Sequence, residues 1–130
     1  MIEENLGDVG LIRLALEEYG VECDLTVVMD GEQAIELIER VDAGSAACPQ
    51  FLILDLNLPK VPGLEVLKRL RASARCGHIP VVILTSSDNQ RDREATARLG
   101  ASRYIPKPSR LREFLALGAV FKNLIGNVHS

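Results

Sequence analysis

The sequence contains no tryptophan, only three phenylalanines and two tyrosines. No basic run carries interleaved aromatics, so nothing points to nucleic acid as a partner. Cys23, Cys48 and Cys76 are odd in number and far apart, which fits neither a disulfide framework nor zinc-ligand spacing; reduced, structural thiols are expected. His78 and His129 are isolated as well, and neither forms a metal-ligand pair with a neighbour. No window approaches the roughly 18 apolar residues of a membrane span. No basic leader with an apolar core and a small-residue cleavage site is present, so a cytoplasmic protein is expected.

What remains is 130 residues, 47% of them apolar. That is enough for one domain, 1–130, with a core that needs no staple and with no room for an output domain. The net charge of −3 conceals a division. Residues 1–42 hold 12 acids against Arg13 and Arg40, while residues 43–130 hold 6 acids against 13 bases. Solvated helix faces account for such a division, and it would equally permit head-to-tail or dimer contacts through the last helix.

Val9, Ile12, Leu16 and Tyr19 recur at helical spacing between Asn5, a suitable cap, and Gly20, predicting a first helix over 6–19. Leu25-Thr26-Val27-Val28 reads as a short strand. Asp30 with Gln33 three residues later reads as a capping box opening a helix with Ala34, Leu37, Ile38 and Val41 inward. Phe51-Leu52-Ile53-Leu54 and Val81-Val82-Ile83-Leu84 are continuous rather than alternating, as in strands covered on both faces of a parallel sheet. Gly63, Val66, Leu67 and Leu70 mark the helix between them. A weakly amphipathic fourth helix, about 90–99, has Ala95 and Leu99 inward, and a strand near 102–105 follows. The final helix carries Leu111, Phe114, Leu115, Gly118 and Ile125, where Gly118 costs about 1 kcal/mol relative to Ala unless close packing uses its missing side chain. The alternation predicts a doubly wound α/β fold with five parallel strands and five helices.

In such sheets the functional crevice lies beyond the carboxyl ends of the strands. The residues there are Glu3 and Glu4, Asp55, Thr85 and, two residues past the fifth strand, Lys107. Taken singly, each has an ordinary explanation as a cap, a packing hydroxyl or a solvated lysine. Together, three acids on one edge would repel one another unless a cation held them, and their oxygens suit Mg²⁺. A carboxylate is a competent nucleophile toward phosphorus, and a metal, a hydroxyl and an ammonium are the parts phosphoryl transfer uses.

Asp55-Leu56-Asn57-Leu58-Pro59 with Gly63, Leu84-Thr85-Ser86-Ser87 and Tyr104-Ile105-Pro106-Lys107-Pro108 resemble the receiver domain of bacterial response regulators over nearly the whole chain. The segment from Asp55 to Lys60, the lead-in Ile79-Pro80-Val81-Val82 and the ending Ser109–Phe114 resemble the small regulators paired with bacterial phytochrome kinases. The resemblance implies a flavodoxin-like fold of strand order 2-1-3-4-5, Mg²⁺ as cofactor and Asp55 as phosphoacceptor. It implies Glu3, Glu4, Asp55 and the backbone carbonyl of Asn57 as metal ligands, Thr85 as switch hydroxyl, Lys107 as its companion cation and Tyr104 as the aromatic that follows Thr85. It further implies a cis peptide at Lys107–Pro108. The donor would be a sensor histidine kinase and the recipient a downstream protein, met through the fourth helix, fifth strand and last helix, a surface that would also serve a homodimer. Beyond slow self-dephosphorylation no enzyme activity is expected.

Two departures stand out. Glu4 occupies a position where the family usually has Asp, and its extra methylene displaces the carboxylate by about 1.5 Å. Only Met1 and Ile2 precede the acidic pair, too few for a central strand, so upstream residues, a misplaced start or a borrowed strand are expected. A pseudo-receiver acting as an interaction module is the alternative these departures favour. A flavodoxin-type electron carrier is opposed by Glu3-Glu4-Asn5 in place of a phosphate loop, and an Asp-x-Asp phosphatase by Asn57, which leaves no general acid.

Overall fold

A computed structural model describes residues 1–23 and 25–129, residues 126–129 by their backbone alone. Asn5 opens α1 (Leu6–Glu18) with an extended backbone and a side chain that accepts the Asp8 N–H at 3.2 Å. Asp30 opens α2 (Gly31–Asp42) by accepting the Gln33 N–H at 2.8 Å, and Gln33 Oε1 accepts the N–H of Met29. The capping box is therefore present, with its return bond one residue before the cap. The remaining elements are β1 (Leu52–Leu54), α3 (Gly63–Arg71), β2 (Val81–Thr85), α4 (Gln90–Arg98), β3 (Arg103–Pro106), α5 (Leu111–Leu115) and α6 (Leu117–His129).

The three strands form a parallel sheet in the order β1-β2-β3, with Ile53 beside Val82 and Ile83 beside Tyr104. Alternate strand residues enter opposite cores. Leu52, Leu54, Val81 and Ile83 join Ala34, Ile38, Val41, Val66, Leu67 and Leu70 under α2 and α3. Ile53, Val82 and Leu84 join Val9, Ile12, Leu16, Phe114, Leu117 and Phe121 under α1, α5 and α6. Burial on both faces is what the unbroken apolar runs specify, and the doubly wound parallel architecture follows.

Five strands were expected and three are present among the described residues. The segments at 1–3 and 25–28 meet the sheet at isolated parallel bridges, Ile2 with Val28 and Ile2 with Leu54. Ile2 donates to Ile53 O at 2.8 Å and accepts from Asp55 N at 3.1 Å; Glu3 donates to Val28 O at 2.9 Å, and the Met1 ammonium donates to Thr26 O at 2.7 Å. Residues 1–3 offer one paired position to each neighbour, which is a bridge rather than a ladder.

The inward stripes also shift. Thr96 is the fully buried residue of α4, its hydroxyl donating to Asp92 O and Arg93 O, while Leu99 at the helix end packs against the core as expected and Ala95 is half-buried. The last predicted helix runs as two segments about Ala116; Leu111 is 58% exposed, while Leu117 and Phe121 are buried. Gly118 is used for contact: a Cβ there would overlap the Ala15 carbonyl oxygen and the Tyr19 ring.

Cys48 and Cys76 form a disulfide with Cα atoms 5.7 Å apart, which corrects the expectation of reduced thiols. A separation of 28 residues hides the pair in sequence. It forms because α2 packs on α3, and Asp42 at the end of α2 accepts from Ser73 Oγ at 2.6 Å and Arg69 Nη2 at 3.1 Å, drawing the two following loops together. Cys23 is exposed.

Candidate phosphoacceptor site

Asp55 follows the last residue of β1, where the chain leaves the sheet at its carboxyl edge, and is 4% exposed. Its Oδ1 accepts the Asn57 N–H at 3.0 Å, and its Oδ2 accepts from Lys107 Nζ at 3.0 Å. Gly63, at the start of α3, lets that helix close on the loop: its N–H donates to Leu56 O at 3.0 Å, and a Cβ there would overlap the Asp55 carbonyl oxygen. The turn between them passes through Lys60, a non-glycine at φ 69°. Lys60 Nζ lies 3.6 Å from both Asp30 and Glu32, which holds the strained turn against α2.

Thr85, the last residue of β2, is fully buried. Its hydroxyl oxygen accepts from Ser87 N at 3.3 Å and from Asn57 Nδ2 at 3.4 Å, and Asn57 Nδ2 also donates to Ser86 Oγ at 3.2 Å. The Asn57 side chain, assigned no role from sequence, thus links the Asp55 loop to the β2–α4 loop. Lys107 N donates to Thr85 O at 2.7 Å, continuing the β2–β3 ladder one step past β3 and aiming the lysine inward. The Lys107–Pro108 bond is trans, as no cis peptide occurs among the described residues, and this corrects the expectation of a cis bond. The trans form is the ordinary X–Pro preference, and with it both the Lys107 backbone and its ammonium reach their partners.

Lys107 Nζ is the centre of the site. It lies 2.9 Å from Glu3 Oε2, 2.8 Å from Asp8 Oδ2 and 3.0 Å from Asp55 Oδ2. Asp8 was not singled out in the sequence; the signal available was its place three residues after the Asn5 cap, on the first turn of the helix that leaves the acidic edge. Glu4 is exposed and forms no ion pair among the described residues. Glu3 is 1% exposed; its Oε1 accepts the Asn5 N–H at 3.0 Å, and its Oε2 meets the Lys107 ammonium and no other donor among the described residues.

Charge and burial act in opposite directions here. Burial raises the Asp55 pKa, but the Asn57 N–H and the Lys107 ammonium outweigh it and hold the carboxyl below its ordinary value. Burial also raises Glu3, and in its case Lys107 and the Asn5 N–H do not compensate, so its pKa lies above the usual range. Burial lowers Lys107, yet Asp8, Glu3 and Asp55 together hold it well above its ordinary value, permanently charged.

The donor set for a cation is all oxygen, the kind that suits Mg²⁺ or Mn²⁺. Lys107 now bridges these carboxylates, and no three acidic, histidine or cysteine side chains among the described residues already surround a metal position. The buried Glu3 Oε2 has no donor but the Lys107 ammonium among the described residues, so once Lys107 yields it is an acceptor that a divalent ion would satisfy, and the residues fit one. The His129 side chain lies outside the described residues.

Tyr104 on β3 is half-buried; its hydroxyl donates to Ser87 O at 2.9 Å, and the Arg93 guanidinium stacks 4.6 Å from its ring centre. Arg93 is itself paired with Asp88 at 2.7 Å, and Ser87 Oγ donates to Asp92 at 3.1 Å. The loop after Thr85 is therefore tied to both α4 and β3.

A family model described as the response regulator receiver domain matches residues 1–117. Response regulator Rcp1 of Synechocystis sp. is 29% identical over 118 residues, covering 90% of this chain and 80% of that protein. The crystal structure of its Mn²⁺-bound form is similar with a TM-score of 0.84 at 28% identity, over 94% of this chain and 88% of the other. The phosphorylated cyanobacterial phytochrome response regulator RcpA gives a TM-score of 0.84 at 31% identity over the same shares. Transcriptional regulatory protein TrcR of Mycobacterium tuberculosis is 34% identical over 116 residues, which is 89% of this chain and 41% of that protein.

Proposed function

Because this chain belongs to the response regulator receiver domain family, we propose that it is a two-component phosphorylation switch whose acceptor is Asp55. The observation that carries the reading is a carboxylate buried at the end of β1, kept ionised by the Asn57 N–H and Lys107, beside the buried Thr85 hydroxyl. An ionised Asp55 oxygen attacks phosphorus, and the bond from phosphorus to a kinase histidine nitrogen breaks while the ring takes up one proton from solvent, leaving an aspartyl phosphate and a neutral imidazole. Lys107 turns its ammonium to the incoming phosphoryl oxygens. Thr85 gives up Asn57 and Ser87 to donate to the same group, and Tyr104, whose hydroxyl holds Ser87 O, follows that loop.

Glu3, Asp55 and the backbone carbonyl of Asn57 would hold Mg²⁺, with Glu4 at the rim. When bound, the ion supplies neutralisation of the phosphoryl charge. The sheet reads as five segments in the order 2-1-3-4-5, supported by Ile2 bridging both Val28 and Leu54. Similarity to RcpA supports a phytochrome-type sensor histidine kinase as donor. The altered surface of α4, β3 and the last predicted helix, α5 with α6, carries the signal to a downstream protein and is also where a homodimer would form. The protein works in the cytoplasm, without nucleic acid or membrane; no helix among the described residues is long and apolar enough to cross a bilayer.

The test is titration with beryllofluoride and Mg²⁺ while amide shifts are followed. Shifts spreading from residues 55–57 to 85–87 and 104, and absent in Asp55→Asn, are expected. A wild-type spectrum that does not respond defeats the reading. The exposed Glu4 favours one alternative, a phosphorylation-independent interaction module; partner binding indifferent to beryllofluoride would select it.

A further inference from the structure

We propose that Asp8 is a positioning residue that keeps Lys107 in the site when Glu3 and Asp55 turn to a divalent cation. The inference rests on the phosphoacceptor reading above. It starts from an imbalance in how the three carboxylates around Lys107 are placed. Glu3 and Asp55 are nearly sealed, at 1% and 4% exposed, and leave the sheet from adjacent segments; a metal ion entering between them takes both from Lys107. Asp8 belongs to another element, the first turn of α1, where Asn5 Oδ1 accepts the Asp8 N–H and fixes that turn. Its Oδ2 is 2.8 Å from Lys107 Nζ, the shortest of the three ion pairs.

The physical need for such a residue is clear. A lysine side chain 15% exposed cannot lose all its anionic partners without either deprotonating or withdrawing to water. Withdrawal would leave the phosphoryl group without its ammonium. With Asp8 in place, Lys107 exchanges three carboxylates for one, stays charged and stays at the edge of the site. Glu3 Oε2, buried with the Lys107 ammonium at 2.9 Å and no other donor among the described residues, is the acceptor released to the metal. Glu4, exposed and unpaired with Lys107, has no part in this exchange.

The test compares Asp8→Asn, Glu18→Gln and Asp55→Asn with wild type in a Mg²⁺ titration followed by amide shifts, with the side-chain carbon and nitrogen resonances of Lys107 observed in the same samples. Asparagine keeps the shape of Asp8, and thermal unfolding without metal confirms that each variant folds. Asp8→Asn is expected to weaken Mg²⁺ by roughly tenfold, because Lys107 then has no carboxylate to turn to and competes with the ion for Glu3 and Asp55. Glu18→Gln removes the same charge from the exposed far end of α1 and is expected to cost under about threefold. On Mg²⁺ addition the Lys107 resonances should stay shifted in wild type and move to free-lysine positions in Asp8→Asn, with Asp8→Glu restoring part of the shift. Equal weakening by Asp8→Asn and Glu18→Gln would reduce Asp8 to one charge among others and overturn the proposal, as would Lys107 resonances indifferent to Asp8. A wild type that binds no Mg²⁺ sinks the metal-dependent reading together with it, whereas unchanged binding in Asp8→Asn alone sinks only the role of Asp8.

Discussion

The two sides of the sheet are built to different standards. From β1 to β3 every strand is laddered to its neighbour, and the β1 and β2 residues are 0–8% exposed. The segments at 1–3 and 25–28 are held by two bridges and a few backbone bonds. Asp55, Thr85 and Lys107 stand on the laddered side, while Glu3 stands on the bridged one. Lys107 joins the two, because its ammonium pairs Asp55 with Glu3 and with Asp8 at the start of α1. The site is thus anchored by a ladder on one side and, on the other, by two bridges, the buried Met1 and Ile2 and the Lys107 ion pairs.

The sharpest way to break that comparison is to remove the joint. Lys107→Met leaves Glu3 and Asp55 buried without their cation, and a loss of about 3–5 kcal/mol is expected in denaturant unfolding at neutral pH. A loss under about 1 kcal/mol would mean that water already screens the cluster and that the bridged side stands alone.

The disulfide tests the laddered side from its opposite end, before β1 and before β2. Closing 28 residues constrains the unfolded chain by about 3–4 kcal/mol in the loop-entropy account. The double variant Cys48→Ser/Cys76→Ser, or wild type in strong thiol reductant, should lose much of that while its beryllofluoride response stays unchanged. A response that vanishes along with the disulfide would show that the two ends of the ladder are coupled.

Gly118→Ala probes how α6 seats on α1, beneath the bridged side. Helix propensity alone favours the change by about 1 kcal/mol. The overlap with the Ala15 carbonyl oxygen and the Tyr19 ring reverses the sign, and a net loss of about 1–3 kcal/mol is expected by thermal unfolding. A stabilised variant would show that α6 can shift outward without cost.

The smallest expected effect is in pH dependence. Glu3 has its pKa raised above 4.5 by burial, so the folded state keeps a proton that the unfolded chain has released, and stability falls as pH rises through the window above 4.5. Asp55 lies below 3.8, so its contribution is present above 3.8 and is lost as pH falls through its folded value. Without metal, Glu3→Gln should gain stability relative to wild type as pH rises from about 4 to 7. A difference that is flat with pH would place Glu3 in contact with water.

Much of this was legible in the sequence, and the limits have physical causes. The runs 51–54 and 81–84 announced strands buried on both faces, and the residues ending them, Asp55 and Thr85, are brought to one edge with Lys107. Caps at Asn5 and Asp30 were readable because they depend on local spacing. Asp8 was not, since its role comes from the direction in which α1 leaves the sheet. The Cys48–Cys76 pair depends on two loops meeting in space, and the buried Thr96 satisfies its own hydroxyl within α4, which an apolar count does not detect. The Asn57 side chain was passed over because only its carbonyl belonged to the expected ligand set, whereas its amide joins two loops.

The most direct test of the central claim is intact-mass measurement after incubation with acetyl phosphate and Mg²⁺. Wild type should gain the mass of one phosphoryl group, lost on treatment with hydroxylamine as an acyl phosphate is, and Asp55→Asn should gain none. Equal labelling of the two proteins, or none in folded, metal-loaded wild type, would contradict the account.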